Sequence, residues 1–248
     1  MIRWRFNAAT KAALSAAAAL QILSMLDVVD PLVALGFVAL PWSTLPAVVA
    51  LFTARFPEPT LDTPGKLGLV ALGAITFVSA LGFLVHFQTL VTLGVLATAV
   101  LEEMTFRLAV PLVLLAVLLK FKVRQSTAVI GSLVISAALF VLLPGHLQQI
   151  SDWWQTTAFI AFAAIMSYSV WRSGLIVPAI AAHATIDFLT LLDKGNVVDP
   201  DTRAWGVAAT LIALLLVSIS AAQEREMIID LRDHADTPPL HDRWGTKI

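Results

Sequence analysis

Apolar runs long enough to cross a bilayer fill this chain, and one of them is interrupted by three charges. Glu102-Glu103-Met104-Thr105-Phe106-Arg107 stands between the apolar runs 90–101 and 108–119. A hydrocarbon layer of about 30 Å takes roughly 20 helical residues to cross. Charges, Pro and Gly mark off eight stretches of about that length: 8–26, 31–54, 66–86, 88–119, 125–143, 153–171, 175–192 and 204–222. The fold class expected is therefore an all-α polytopic membrane bundle of about eight transmembrane helices. The fourth stretch is too long for one straight span, and Pro111 removes a helical hydrogen bond inside it. A break, kink or re-entrant turn is expected over 106–111.

Composition supports the class and narrows the function. Of the residues 58% are hydrophobic and 13% charged, with a formal net charge of −1. Without a basic block beyond the short Lys120/Lys122/Arg124 group, nucleic acid is not an expected partner. There is no cysteine, which removes disulfides, thiolate metal sites and thiol nucleophiles together.

Cytoplasmic loops retain Lys and Arg, so their distribution sets orientation. With the N-terminus inside, one side collects Arg3, Arg5, Lys11, Arg55, Lys66, Lys120, Lys122, Arg124, Arg172, Arg225, Arg232, Arg243 and Lys247; the other has only Lys194 and Arg203. Eight crossings with both termini cytoplasmic follow, in a bacterial-type cell membrane. The basic start leading into the alanine-rich run 12–19 reads as a retained membrane anchor rather than a secretory signal. One transmembrane domain spans 1–222, and 223–248 forms a polar cytoplasmic tail with a helical beginning.

Ionisable residues inside membrane helices are rarely idle. Glu103 and Arg107 stand four apart and share a helix face, whereas Glu102 points about 100° away. Glu102 is then a carboxyl group without a counter-charge, suited to general-base work; the plainer alternative is an ion pair that locks two helices. His183 and Asp187 repeat the four-residue spacing, so imidazole and carboxyl converge where they can orient a water, hold a metal or glue helices together. His146, just after Pro144-Gly145, stands at the end of its span, where an interfacial histidine is the bland reading. His86, His234 and His241 are read as helix-end or tail residues.

These motifs carry a family resemblance. Glu102-Glu103-Met104-Thr105-Phe106-Arg107 resembles the E-E-x-x-x-R motif of the CPBP group, the CAAX-protease and bacteriocin-processing membrane peptidases, related to type II CAAX prenyl endopeptidases. The segment 174–187, ending in His183-Ala184-Thr185-Ile186-Asp187, resembles that family's final motif, H-x-x-x-N or D with upstream Gly and Pro. The resemblance covers about 90–192. The intervening F-x-x-x-H motif is not met cleanly, since Phe140 is six residues before His146 and Leu142 occupies the fourth position.

The resemblance implies an intramembrane endopeptidase that hydrolyses a peptide bond in a membrane-associated or lipidated substrate near the cytoplasmic side. Glu102, assisted by His146, would activate a water. His183 and Asp187 would face the oxyanion or position the water, and Glu103 with Arg107 would brace the site. Zinc is a compatible cofactor for one Glu, two His and an Asp, but no H-E-x-x-H helix is present, which favours glutamate chemistry. Two other readings stand beside it: a catalytically weak or silent CPBP fold acting as scaffold or partner subunit of a membrane complex, and a proton-coupled transporter.

Overall fold

The computed structural model describes residues 6–26, 28, 32–35, 38–54, 61–147 and 153–235, with side chains left aside at 33–35, 38–39, 144–145, 154 and 222–235. Helix α1 (Ala8–Met25) starts at Asn7, whose side chain accepts from the Thr10 amide at 2.7 Å. Such a cap satisfies one of the amides a helix start leaves without a partner. The chain then forms a two-stranded antiparallel ladder, β1 (Val33–Leu35) with β2 (Val38–Leu40), followed by the ten-residue α2 (Thr44–Thr53). The expected span over 31–54 is thus corrected. Pro41 cannot continue a helix from the residues before it, so helix begins only at Thr44, with Pro46 tolerated in the first turn. Apart from this ladder, the described body of the molecule is α-helical, as the apolar pattern implied.

Helix α3 (Thr63–His86) is capped by Asp62, whose carboxylate accepts from the Gly65 amide at 2.9 Å. Helix α4 (Thr89–Glu103) passes without interruption into a π-helical segment (Met104–Ala109) and then α5 (Val110–Lys120). Where a break or re-entrant turn was expected, the chain keeps a continuous helical run and widens its turn. The widening has a cause and a consequence. In the π register Val110 donates to Thr105 O, and Pro111 has no amide to donate, so the carbonyls of Phe106 and Arg107 lose their usual helical partners. Side chains from two other helices supply replacements: Ser136 Oγ donates to Phe106 O at 2.6 Å, and Trp171 Nε1 to Arg107 O at 2.7 Å.

Helix α6 (Gln125–Val141) leads to the single turn α7 (Pro144–Leu147); α8 (Trp153–Ser173), α9 (Ile176–Lys194) and α10 (Pro200–Ala235) complete the chain. Gly174, at φ 75°, takes the left-handed position between α8 and α9 that favours glycine. Among the described residues, four helices are long and apolar enough to cross a membrane: Ala8–Met25, Thr63–His86, Ile176–Lys194 and the Pro200–Ala221 part of α10. Helix α10 runs unbroken through the boundary expected at 222.

Close contacts fix the helix directions. Thr185 Oγ1 donates to Thr76 Oγ1 at 2.7 Å, and the Phe83 and Phe188 rings lie 5.0 Å apart, so α3 and α9 run parallel. Asp62 N donates to Ser220 Oγ at 3.0 Å, and a Cβ on Gly65 would overlap Ser220, so α10 runs against α3 at very close approach. The connections are therefore sorted into two ends. One end holds the start of α3, the α5–α6 turn and the α8–α9 turn, with Lys66, Lys120, Lys122, Arg124 and Arg172. The other holds the α3–α4 hairpin, the α6–α8 connection and the α9–α10 loop, with Lys194 and Arg203.

Candidate active site

Four elements bring the six singled-out residues together: the end of α4 with its π segment, the turn α7, and the middle of α9. Glu103 and Arg107 form the expected i,i+4 pair, with Arg107 Nε 3.4 Å from Glu103 Oε2 and both side chains fully buried. Arg107 also lies over the Phe140 ring, its guanidinium carbon 4.4 Å from the centroid, a favourable place for a desolvated cation. Glu103 has a second partner that spacing along the sequence could not reveal. Its Oε1 accepts from His183 Nδ1 at 2.8 Å.

Two imidazoles flank Glu102. Its Oε2 lies 3.5 Å from His146 Nε2 and 3.5 Å from His183 Nε2. His183 Nε2 is also 3.7 Å from Asp187 Oδ2, beyond direct hydrogen-bond reach. His146 is buried, 9% exposed, which sets aside its interfacial reading. It does not reach the site through a bulge in α6. The helix stops at Val141, and the turn begun by Pro144 folds His146 back so that Nδ1 donates to Phe140 O at 2.7 Å.

This arrangement fixes both imidazoles alike. A carbonyl only accepts, so His146 carries its hydrogen on Nδ1; a carboxylate held beside an arginine accepts likewise from His183 Nδ1. In the neutral form each ring then turns an acceptor Nε2 toward the same carboxylate oxygen. Glu102 Oε2 is buried and has no hydrogen-bond partner among the described residues. Two imidazole acceptors thus each lie 3.5 Å from one carboxylate oxygen, which suits the three to share the protons of a molecule bound between them.

Aromatic rings shape the surroundings. Phe140 lies 4.4 Å from His146 and 6.1 Å from His183 between ring centroids, and Phe162 and Phe159 pack at 5.1 Å from His183 and 5.0 Å from His146. Among the described residues no group of three or more His, Asp or Glu is arranged to hold a metal ion. His86 hydrogen-bonds Gly82 O on the exposed end of α3. His234 lies among the side chains left aside, and His241 lies outside the described residues.

Residues 84–189 match a family model described as type II CAAX prenyl endopeptidase, Rce1-like. Over that segment the chain is similar to this family. The match runs from the end of α3 to the middle of α9 and so contains every residue of the cluster, within a few residues of the span that the motifs marked. No curated protein and no solved structure matches the chain. Four apolar helices of spanning length among the described residues and this similarity point to an integral membrane protein. Ser136, Trp171 and Phe162 were missed as contributors to the site. Pro111 signals that carbonyls will be freed, but nothing in the sequence names the side chains that capture them.

Proposed function

We propose that this protein is an intramembrane endopeptidase of the CAAX-protease type, with Glu102 as general base. One observation carries the reading: the buried, unbonded Glu102 Oε2 lies equidistant from two Nε2 acceptors whose rings are each anchored through Nδ1. A water placed among them gives one proton to Glu102, with His146 sharing it, and presents its oxygen to a peptide carbonyl. His183, tied to Glu103, faces the developing oxyanion; it stabilises that charge once protonated. A carboxylate repels an oxyanion, so Asp187 serves in its protonated form, or orients His183 through a bridging water across their 3.7 Å separation. Arg107 braces Glu103 and stays out of the chemistry. The membrane domain extends over 1–222, and both termini, including the tail 223–248, are cytoplasmic.

The test compares membrane peptide fragments from cells expressing the wild type, Glu102→Ala and His183→Ala at equal abundance. A set of fragments that disappears in both variants is expected, with rate losses on the order of 10²–10⁴-fold for a lost acid–base group. Unchanged fragments in Glu102→Ala rule the mechanism out. They would favour the silent-scaffold reading instead, which co-purification of a stable membrane partner would then identify.

A further inference from the structure

The cluster has a closed side and an open side. Toward the basic end it rests on Met104, Phe106, Leu108, Phe140, Ile176 and Ala179, each 1% exposed or less. Toward the opposite end exposure rises. The Asp187 side chain, one turn beyond His183 in the direction of Lys194, is 34% exposed, against 4% for His183 and 0% for Glu103. His146 is also separated from the α5–α6 turn by the whole of α6, whose 17 residues rise about 25 Å.

Charge gives the two ends different addresses. The closed end carries Lys66, Lys120, Lys122, Arg124 and Arg172, whereas the open end carries Lys194 and Arg203, and Arg203 is bonded to Asp193 at 2.7 Å. Lys122 sits at φ 59°, a left-handed position that a glycine adopts without strain. A cation is kept there at a backbone cost. No acidic residue occurs from Met104 to Ser151 to neutralise this turn. Short loops rich in Lys and Arg stay in the cytoplasm, so the closed end faces inward.

We propose that the candidate active site opens to the non-cytoplasmic face of the membrane. Its substrate is then a segment of an exported or membrane-anchored polypeptide presented from the outer leaflet. The lipidated tail of a cytosolic protein, the substrate expected from a cut near the cytoplasmic side, is on the wrong side of the closed floor. The substrate half of this proposal rests on the peptidase reading; the orientation half does not.

The lack of native cysteine allows single reporters in the full chain. Phe121→Cys, at a position 76% exposed on the basic turn, is compared with Trp153→Cys and Asp201→Cys at the open end. A charged, membrane-impermeant maleimide is added to intact cells, and labelling after detergent shows that each thiol is reactive. Asp201→Cys and Trp153→Cys are expected to label in intact cells, and Phe121→Cys only after permeabilisation. Labelling of Phe121→Cys in intact cells, or silence of both open-end positions, overturns the orientation. For the substrate half, Glu102-dependent fragments are expected from exported or outward-facing sequences; fragments from cytosolic prenylated proteins overturn it. Absence of any Glu102-dependent fragment sinks the peptidase reading and leaves the labelling result standing.

Discussion

Two i,i+4 pairs on two buried helices, Glu103–Arg107 and His183–Asp187, look equivalent in sequence and differ in space. The first is sealed at 0% exposure for both side chains, 3.4 Å apart, on a π-helical segment. The second is 3.7 Å apart on a regular α-helix, with 4% and 34% exposure. On the proposed mechanism, the difference separates a bracing pair from one beside the chemistry. A sealed charge cannot leave its partner without stranding it in low dielectric, whereas a half-open pair can change protons or partners at small cost to the fold.

The largest effect that separates the pairs is expected at Arg107. Arg107→Met strands Glu103 and should cost about 3–5 kcal/mol of stability, read as lost folded protein in detergent; adding Glu103→Gln should restore most of it. If Arg107→Met alone is neutral, the bracing role is wrong. Next come the two carbonyl captures. Trp171→Phe and Ser136→Ala each leave a buried carbonyl unpaired, for about 1–3 kcal/mol in thermal unfolding. The Trp171→Phe loss should shrink in a Pro111→Ala background, where the restored amide takes over the Arg107 carbonyl, while the Ser136→Ala loss should persist. Asp187→Asn should cost under about 1 kcal/mol of stability while moving the pH profile of cleavage. An unchanged profile would make Asp187 a bystander.

Smaller still are the surface terms. Asp193→Asn removes the bond to the 39%-exposed Arg203 and should cost about 0.2–1 kcal/mol, less in high salt. At the helix starts, the Ser220 hydroxyl and the Gly65 amide hold the Asp62 carboxyl below the usual range, and Thr202 does the same for Asp199. Each therefore adds stability that is present above the unfolded pKa and lost as pH falls through the lower folded value. Denaturation below about pH 4 should be less steep in Asp62→Asn than in the wild type.

How far the sequence speaks follows from what each residue depends on. The apolar runs announced α1, α3, α6, α8 and α9 because lipid demands length and hydrophobicity, which composition records directly. The span at 31–54 misled because its apolar content is high while its Pro41 and Pro46 forbid one continuous helix. Spacing placed Arg107 beside Glu103, a local geometry. It could not place His183 on Glu103, since that bond joins residues 80 apart and depends on how α4 and α9 pack. His146 shows the opposite case: the motif spacing failed, yet ending α6 early and turning at Pro144 delivered the imidazole to Glu102.

The carboxylate of Glu103 holds Arg107 with one oxygen and the ring of His183 with the other. That clasp makes the relative height of two helices a fixed quantity while leaving the chain between them free to vary. Loops at either end can lengthen so long as this junction keeps its level. A shift of α9 by a single turn, about 5.4 Å, would uncouple the imidazole from its anchor and silence the site without disturbing any span.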